Sequence, residues 1–368
     1  MRIVFVLVAH RPDDERVWYQ EAESLKNAGG EVFVISTRAA HSELANTYTF
    51  NDRNKGKKEI IQKITSFLIQ IKPEVIICDN PIAILAAKKY KQKIKEKTRI
   101  IYDITEWYPS KKNLSGLSFI KKLIKIPLLI FLSYYTAWIV DGFIFGECDK
   151  AKPFRILFPW KKCIYLPYYA DPELIPVYPT NKILQECTFL YAGNLTIEKG
   201  FDKVIQVVKL CAETFPKTKF ILHIISSAVP SLDLNYTNLF IKNTSILPFF
   251  SFCKEIGKAD LFFDLRKIDM ENTRCLPIKL FYYMAAGRPV IYSDLKAISK
   301  EVPEINQIGT LVDPLNIEAI VSQIRRYLED ENYYEEQCLM ARKLAEQKYN
   351  WKSIENRLIN FILKDGKE

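Results

Sequence analysis

Glycine, histidine and paired cysteines are scarce in this chain of 368 residues, and each scarcity argues against a kind of chemistry. The 12 glycines form neither G-x-G-x-x-G nor a P-loop motif, which argues against hydride transfer with NAD or FAD and against ATP hydrolysis. The three histidines, His10, His41 and His223, are far apart, and the eight cysteines include no C-x-x-C pair. The sequence therefore predicts no metal site.

Uncharged runs long enough to span a membrane are also missing. The best candidate, 126–140, is closed by Lys125 and Asp141 after 15 residues, short of the roughly 20 that a spanning helix needs. Two interpretations remain: a helix buried against a sheet, or a helix lying on a bilayer surface behind a group of lysines, Lys111, Lys112, Lys121, Lys122 and Lys125. The apolar run at 3–9 ends without a small-residue cleavage pattern, which favours a buried first strand over a signal peptide.

Acidic side chains are too few to balance the basic ones in the first half. The chain has 53 basic and 43 acidic residues, a net charge of +10; residues 1–175 hold 28 and 19 of them, and 51–125 alone hold 18 and 7. Either these lysines lie on solvated helix faces, or they form a positively charged surface that binds the anionic phosphates of membrane lipid. Nucleic acid is not expected as a partner, since no helix-turn-helix, zinc-finger or RNA-binding signature accompanies the lysines.

Short apolar runs alternate with amphipathic stretches through both halves, a pattern typical of parallel strands connected by helices. The predicted strands are RIVFVLVA, EVFVIST, EVIICD, RIIYD and GFIFG, and then CTFLYAG, KFILHII, TSILPF, ADLFFDL, RPVIYSD and IGTLVD. The predicted helices lie at 15–28, 57–71, 81–93, 199–214, 278–286, 317–329, 331–349 and 351–364. We expect an α/β fold of two Rossmann-like, doubly wound parallel sheets.

The repetition of this theme predicts two domains, 1–166 and 181–348, with a linker at 167–180. Four prolines in LPYYADPELIPVYPT exclude regular structure from the linker. Because doubly wound sheets bind ligands beyond the carboxyl ends of their strands, we expect the two sheets to face each other across a ligand-binding cleft.

Two loops of the second half carry candidates for anion binding. In FLYAGNLTIEKGFDKVI a strand ends at Gly193, where a ligand can approach the backbone, and Lys199 opens the predicted helix. In ENTRCLPIKLFYYMAAGRPVIYSD a short helix is bracketed by Pro277 and Gly287, with charged residues gathered at its start, Glu271, Arg274 and Lys279. The alternative is a pair of ordinary surface turns.

With these loops, the chain resembles the family-4 (group 1) glycosyltransferases of the GT-B fold over nearly its whole length. The resemblance rests on HRPDDERVWYQEAESLKNAGGEVFVI, YDITEWYP, YAGNLTIEKG and LPIKLFYYMAAGRPVIYSD, of which the last is the most specific. A helix containing NWKSIENRL resembles the family's final helix, which implies that 349–368 packs back on the first domain.

Four positions depart from the family pattern. Arg274 and Tyr282 stand where two glutamates usually lie eight positions apart, and the second of these normally holds the ribose hydroxyls. Asn194 replaces the arginine that commonly follows the phosphate-loop glycine, leaving Lys199, and Thr105 replaces a histidine. Because a guanidinium clamps a diphosphate through paired hydrogen bonds, Arg274 is a candidate for the lost cation.

The resemblance implies transfer of a sugar from a nucleotide-sugar, a UDP- or GDP-sugar, to an acceptor hydroxyl. It further implies retained anomeric configuration, no bound metal and no bound cofactor. The implied donor-binding residues are Gly193, Asn194, Lys199, Glu271, Arg274, Pro277, Lys279 and Tyr282. The implied residues on the sugar and acceptor side are Asp103, Glu106 and His10, with Asp14 and Arg16 beside the histidine.

The leading interpretation is a cytoplasmic enzyme, peripheral on the inner face of the cytoplasmic membrane, that builds surface polysaccharide on a lipid-linked or saccharide acceptor. Cysteines in apolar runs, such as Cys78 and Cys187, fit buried thiols in a reducing compartment. One alternative is a non-catalytic binding or partner protein that kept the two-domain shell. Another is a GT-B enzyme of a different class, such as an epimerase, for which the sequence gives no positive sign.

Overall fold

In the computed structural model each half of the chain forms one sheet of parallel strands. The structure describes residues 1–8, 10–39, 44–52, 55–94, 97–105, 109, 111–179, 184–230, 232 and 235–364. The chain divides into a first unit, Met1–Tyr168 with Ile354–Glu368, and a second unit, Tyr169–Ser353. Most of the segment predicted as a linker thus lies in the second unit, where it contains one short helical turn at Pro172–Leu174.

The first unit is built on a seven-stranded sheet with the order β3-β2-β1-β4-β5-β6-β7, in which every pairing is parallel. The central strands are buried on both faces, because helices cover both sides of a parallel sheet, and they are accordingly continuous runs of Val and Ile. The strands are β1 (Arg2–Leu7), β2 (Glu31–Ser36), β3 (Thr47–Thr49), β4 (Val75–Cys78), β5 (Arg99–Ile104), β6 (Gly142–Phe145) and β7 (Lys162–Tyr165).

Helices of the first unit connect successive strands. The first begins with wide π-helical turns at Val17–Ala22 and continues as α1 (Glu23–Asn27). The others are α2 (Lys57–Ile71), α3 (Pro81–Ile94), α4 (Lys111–Leu114), α5 (Phe119–Ile139) and α6 (Cys148–Leu157). In α2 the apolar residues recur every three or four positions, so that Ile60, Ile64, Leu68 and Ile71 enter the core together.

The second unit repeats the arrangement with a six-stranded parallel sheet in the order β10-β9-β8-β11-β12-β13. Its strands are β8 (Glu186–Ala192), β9 (Lys219–Ile225), β10 (Leu239–Thr244), β11 (Leu261–Asp264), β12 (Val290–Ser293) and β13 (Gly309–Val312). Its helices are α7 (Phe201–Thr214), α8 (Phe249–Gly257), α9 (Ile278–Ala285), α10 (Lys296–Glu301), α11 (Ile317–Glu329) and α12 (Glu331–Gln347). The predicted α/β fold with two parallel sheets is confirmed.

The end of the chain returns to the first unit. Helix α13 (Trp351–Ile359) continues into π-helical turns at Asn360–Lys364. The Arg99 guanidinium donates to the carbonyls of Phe361 and Ile362, at 2.9 and 3.0 Å, and the Ser24 hydroxyl donates to Glu355 at 2.6 Å. The two bonds from Arg99 satisfy carbonyls at the end of the helix that have no intrahelical partners.

The predicted strand TSILPF is wrong. The strand lies earlier, at Leu239–Thr244, and Pro248 precedes helix α8. This is the edge strand of its sheet, so several of its side chains reach solvent and its sequence lacks a continuous apolar run. The edge strands β3 and β7 went unpredicted for the same reason.

Candidate active site

Polar side chains of the first unit meet where β1 and β4 end. Asp79 follows β4 directly, and both of its carboxylate oxygens accept from the Val8 amide at 3.0 Å. The same carboxylate lies 3.1 Å from Nδ1 of His10, which follows β1. The histidine is thereby fixed at the carboxyl edge of the sheet, where sequence analysis expected it.

His10 is held as a cation in this position. Burial lowers the pKa of His10, but the hydrogen bond to Asp79 and the nearby charges of Asp14 and Asp79 outweigh it and raise the pKa to about 9. Arg16 opposes this increase. At neutral pH the imidazolium is therefore a hydrogen-bond donor and a fixed positive charge, and not a general base.

Arg16 joins two buried carboxylates next to this histidine. Its Nε donates to Glu21 at 2.6 Å and its Nη2 donates to Asp103 on β5, while the guanidinium lies 5.1 Å from the centre of the Tyr168 ring. Burial raises the pKa of Glu21 to about 8 against the attraction of Arg16, and burial likewise raises the pKa of Asp103. Only 4% of Asp103 is exposed, and its carboxylate accepts from Arg16.

A buried lysine holds the backbone that follows β5. The Lys150 amine on α6 donates to the Thr105 carbonyl at 2.5 Å and to Glu147 at 3.0 Å. Asp103 Oδ1 and the Thr105 hydroxyl are buried with no hydrogen-bond partner among the described residues. Glu106, the remaining acceptor-side candidate, lies outside those residues.

In the second unit, the phosphate-loop strand β8 ends beside a lysine from α9. The Lys279 amine donates to the Ala192 carbonyl and lies 3.7 Å from Asp264 Oδ2 at the end of β11. Gly193 has φ +139°, and a Cβ added there would lie 3.4 Å from the Lys279 amine. Gly193 therefore keeps the backbone open at the point where the lysine emerges.

Arg266 is the cation that sequence reasoning missed. Its Nε and Nη2 donate to the two oxygens of Asp264 at 2.6 and 2.5 Å, and only 8% of the residue is exposed. Burial alone raises the pKa of Asp264, but the charges of Arg266 and Lys279 lower it below its ordinary value. The sequence signal was a basic residue two positions beyond the apolar strand LFFD, at the edge where ligands bind.

Lys199 is the last residue of a short helical turn that precedes α7. The prediction that α7 begins at Lys199 is therefore corrected by two residues. The helix begins at Phe201, after a helical turn at Ile197–Lys199 and Gly200 at φ +74°. The turn requires glycine at position 200, because a Cβ there would lie 1.7 Å from the carbonyl oxygen of Leu265, the residue before Arg266. The expected free amides of the helix start are partly used, since those of Gly200 and Phe201 donate to Ile197 and Thr196.

A charged turn precedes α9. Glu271 is half-buried, and its backbone amide donates to the Asp269 carboxylate at 3.0 Å. Arg274 is exposed at the end of a helical turn. Pro277 does precede the first residue of α9. The Lys279 amine, in the first turn of α9, reaches the ends of β8 and β11.

Tyr282 and Asn194 take separate positions. The Tyr282 ring is 3% exposed and packs against Phe249 and Phe252 of α8, with ring centres 6.1 and 6.3 Å away. Asn194 is exposed, and its carbonyl accepts from the Tyr191 hydroxyl at 2.7 Å. The tyrosine is thus part of the packing between α8 and α9.

The polar edge of the second sheet carries more positive than negative charge. Lys199, Arg266 and Lys279 all lie close enough to Asp264 to lower its pKa. Burial lowers the pKa of Lys279, and among the charged groups Asp264 opposes this effect while Arg266 adds to it. Glu198 also lies here, 3.4 Å from the Lys199 amine, so three cations and two carboxylates leave a net positive charge suited to an anion.

We expect the Asp79→Asn variant to lower the pKa of His10. Wild-type His10 titrates near pH 9, so its pairing stabilises the fold fully below about pH 6.5 and this contribution is lost as the pH rises through 9. In the variant the pKa falls towards or below the ordinary value, as measured by NMR titration of the imidazole signals. With only three histidines in the chain, His41→Gln assigns the remaining signals, and an unchanged His10 titration contradicts the assignment of Asp79 as its partner.

We expect Tyr282→Glu to destabilise the second unit by about 3 kcal/mol or more, because burial among phenylalanine rings removes the carboxylate from water. Tyr282→Phe keeps the ring and is the matched control, with a much smaller change expected. Urea denaturation of both variants measures the difference. Equal midpoints for the glutamate variant and the wild type would show that this position is open to solvent or to a polar ligand.

One family model matches most of the second unit. Residues 179–351 match the family model described as Glycosyl transferases group 1. No curated protein is a significant match to the chain in sequence.

Three solved structures are similar over nearly the whole chain. Sucrose-phosphate synthase from Thermosynechococcus elongatus has a TM-score of 0.71 at 13% identity, with 98% of each chain covered. WaaG, a glycosyltransferase involved in lipopolysaccharide biosynthesis, has a TM-score of 0.70 at 13% identity, covering 98% of this chain and 100% of that one. Anabaena HepE in complex with UDP has a TM-score of 0.70 at 12% identity, covering 98% and 99%. The chain has the GT-B fold of these proteins, and its residues 179–351 are similar to the group 1 glycosyltransferases.

Proposed function

We propose that the protein transfers a glycosyl group from a nucleoside diphosphate sugar to an acceptor hydroxyl. The observation that carries the proposal is the cluster of Lys199, Arg266 and Lys279 around Asp264, at the carboxyl ends of β8 and β11. A diphosphate is the anion that such a cluster fits, because it offers several oxygens to several fixed donors. The UDP bound in HepE supports a uridine or related nucleotide as the nucleotide part of the donor.

The chemistry needs positive charge at the leaving group. The bond between the anomeric carbon and the diphosphate oxygen breaks, and its electron pair stays on the diphosphate. The acceptor oxygen forms the new bond to the same carbon, and its proton leaves with the departing phosphate. Donors fixed in advance lower the barrier because they need no reorganisation as the charge develops.

The cations divide this work by their geometry. Lys279, which bridges the ends of β8 and β11, and Lys199, whose side chain is 38% exposed, bind the departing phosphates. Arg266 takes the part of the arginine that Asn194 replaces in the phosphate loop. Its pairing with Asp264 fixes the guanidinium plane, which leaves its remaining donors for a phosphate oxygen. With these cations in place the reaction requires no metal ion.

The first unit supplies the acceptor side. The His10 imidazolium and the Arg16 pair with Asp103 offer hydrogen bonds and positive charge to the transferred sugar or the acceptor. Lys150 fixes the Thr105 carbonyl, and hence the start of the loop that carries Glu106. We propose Asp103, Glu106 and His10 as the residues of this side, with Asp103 acting through Arg16, and transfer with retained configuration.

A lipid-linked intermediate of surface polysaccharide synthesis is the acceptor that we favour, on the inner face of the cytoplasmic membrane. WaaG acts in lipopolysaccharide biosynthesis, which supports an acceptor of this kind. All eight cysteines are free thiols, as a reducing cytoplasm requires. The competing candidate is a binding protein without catalysis, favoured by Arg274 and Tyr282 at the two glutamate positions.

A nucleotide panel distinguishes the two functions. We expect one of UDP, GDP and TDP, or its sugar conjugate, to raise the melting temperature, since saturation at 100 times Kd adds about 2.7 kcal/mol. Given that donor and an acceptor, Lys279→Met should reduce kcat/KM by about 10²-fold to 10³-fold, as expected for loss of one charge-stabilising contact. Lys217→Met, in an exposed turn, is the control.

Each result of this panel has a clear reading. Donor binding without turnover supports the binding protein, and no shift with any nucleotide contradicts both proposals for the donor site. NMR of the product reports its anomeric configuration, and an inverted product refutes retention. Full activity in EDTA is expected from a site that uses no metal.

The two candidate arginines are separated by their lysine variants. We expect Arg266→Lys to weaken binding of the nucleoside diphosphate about tenfold or more, because an ammonium cannot keep the bidentate bond to Asp264 and a bond to phosphate together. Arg274→Lys, at an exposed turn, should leave the affinity unchanged. Isothermal calorimetry measures both, and circular dichroism checks that each variant is folded. The reverse ranking would assign the diphosphate to Arg274, as the sequence suggested.

A further inference from the structure

Helix α5 turns its apolar side towards solvent. Within Phe119–Ile139, all of which the structure describes, ten apolar or aromatic residues fall on one half of the helix circumference, and no charged residue lies among them. Most of these residues are between 37% and 80% exposed: Phe119, Ile120, Leu123, Ile124, Leu128, Ile130, Phe131, Tyr135 and Trp138, with Pro127 exposed beside them. A helix on the surface of a water-soluble domain shows the opposite pattern.

The interpretation that 126–140 is buried against a sheet is therefore wrong for most of the helix. No residue in 119–132 is buried, and the buried positions of the helix are three small residues near its end, Ser133, Thr136 and Ala137. The helix is also longer than the uncharged run, because it includes Lys121, Lys122 and Lys125. By length and composition alone, α5 is the one helix of the described chain that is apolar enough to cross a membrane.

The attachment of α5 to the first unit argues against a spanning orientation. Its last turns pack beside α3, and Ala137 and the following Val140 lie in the core of the unit. The Lys161 amine donates to the carbonyls of Ala137, Trp138 and Val140 at 2.5 to 2.8 Å, which caps the carboxyl end of the helix. A helix whose end is held in this way by a folded domain presents its apolar side to an interface, as a helix lying on a bilayer does.

Aromatic residues extend the exposed apolar surface beyond α5. The rings of Trp138 and Trp160 are 6.0 Å apart, and Trp160 is 64% exposed. Ile156 and Leu157 at the end of α6 are exposed as well. Tryptophan is enriched where one end of a side chain meets lipid and the other meets water.

Lysines border this surface at the other end. Lys121, Lys122 and Lys125 lie on the flank of α5, outside its apolar half. The side chain of Lys125 reaches back to the Asn113 carbonyl at 2.7 Å. Basic side chains beside an apolar helix face complement an anionic lipid surface, because the headgroups attract the lysines while the acyl boundary takes up the apolar residues.

We propose that the exposed side of α5, with Trp160, Ile156 and Leu157, docks on an anionic lipid bilayer with the helix lying in the interface. Each fully buried large apolar side chain favours the bound state, and the lysines add an electrostatic attraction that salt weakens. The surface needs no nucleotide and no acceptor to bind, so the docking stands apart from the glycosyl transfer proposed above.

The position of α5 gives the docking a consequence for that transfer. The helix connects β5 to β6 and is about 30 Å long, whereas these strands span at most about 20 Å. Its carboxyl end leads into the start of β6, so its amino-terminal half extends to the edge where β5 ends and where Asp103 and His10 lie. On the function proposed above, docking there brings the acceptor side of the first unit to a lipid-linked acceptor.

Vesicle flotation tests the docking itself. We expect the full-length protein to float with vesicles of phosphatidylcholine containing 30% phosphatidylglycerol. The double variant Ile124→Glu with Phe131→Glu should partition at least tenfold less, with an unchanged melting temperature because both side chains are exposed. Leu339→Glu, at an equally exposed leucine on α12, is the matched control and should float like the wild type.

The lysines and the tryptophans give independent readouts. Lys121→Gln with Lys122→Gln should weaken partition into the vesicles about fivefold for each lysine charge removed. High salt should also weaken partition of the wild type. Tryptophan fluorescence should shift to the blue on addition of the anionic vesicles, and the Trp138→Phe, Trp160→Phe variant should lose this shift.

Other outcomes overturn the proposal. Equal flotation of the wild type and the Glu variant removes α5 as the docking surface, and failure of the wild type to float removes the membrane as its occupant. A dimer by light scattering that the Glu variant dissociates, without flotation, assigns the surface to a second copy of the chain. Nucleotide binding measured on the same variants keeps this test separate from that of the proposed function, since all of them should bind the donor as the wild type does.

Discussion

The direction of the strands is the constraint on which the rest of this protein depends. In a sheet whose strands are all parallel, every strand ends at the same edge. Residues that are far apart in the sequence are therefore brought close together at this edge. His10, Asp79 and Asp103 follow or end three strands of the first sheet. Ala192 and Asp264 end two strands of the second. The polar groups can gather at these edges because the strands themselves are buried runs of apolar residues that satisfy one another's backbone groups.

Buried counter-charges keep the cations of these edges in place. Asp264 holds Arg266 through two hydrogen bonds and attracts Lys279, and Asp103 with Glu21 holds Arg16 in the same way. Each carboxylate is removed from water, which is tolerable only because a guanidinium pairs with it. The result in each unit is a cation with few rotamers left to lose when a ligand binds, and this preorganisation is what stabilisation of a leaving diphosphate requires.

Helix α5 follows a different rule from the rest of the fold. Elsewhere apolar residues turn inward, and the amphipathic helix α2 is an example. In α5 the inner side is made of small residues that allow close packing on the unit, and the large apolar residues point away. Such an inverted pattern is unfavourable in water. It becomes favourable once another apolar phase covers it, which is the physical basis for assigning α5 to a bilayer.

The order of runs and amphipathic stretches was enough to predict two parallel α/β sheets, most helices to within a few residues, and the loops at Gly193 and Pro277, since these follow from local periodicity and backbone conformation. Edge strands escaped prediction because half-exposed strands carry no continuous apolar signal, as at Leu239–Thr244. The sequence also indicated Lys199 and Lys279, but it indicated Arg274 and missed Arg266. Only the tertiary structure decided that Arg266 meets Asp264, that Tyr282 is enclosed by phenylalanines, and that the apolar side of α5 faces outward. Periodicity shows which residues share a face of a helix or lie near a strand end, whereas packing of the whole chain determines what each face meets.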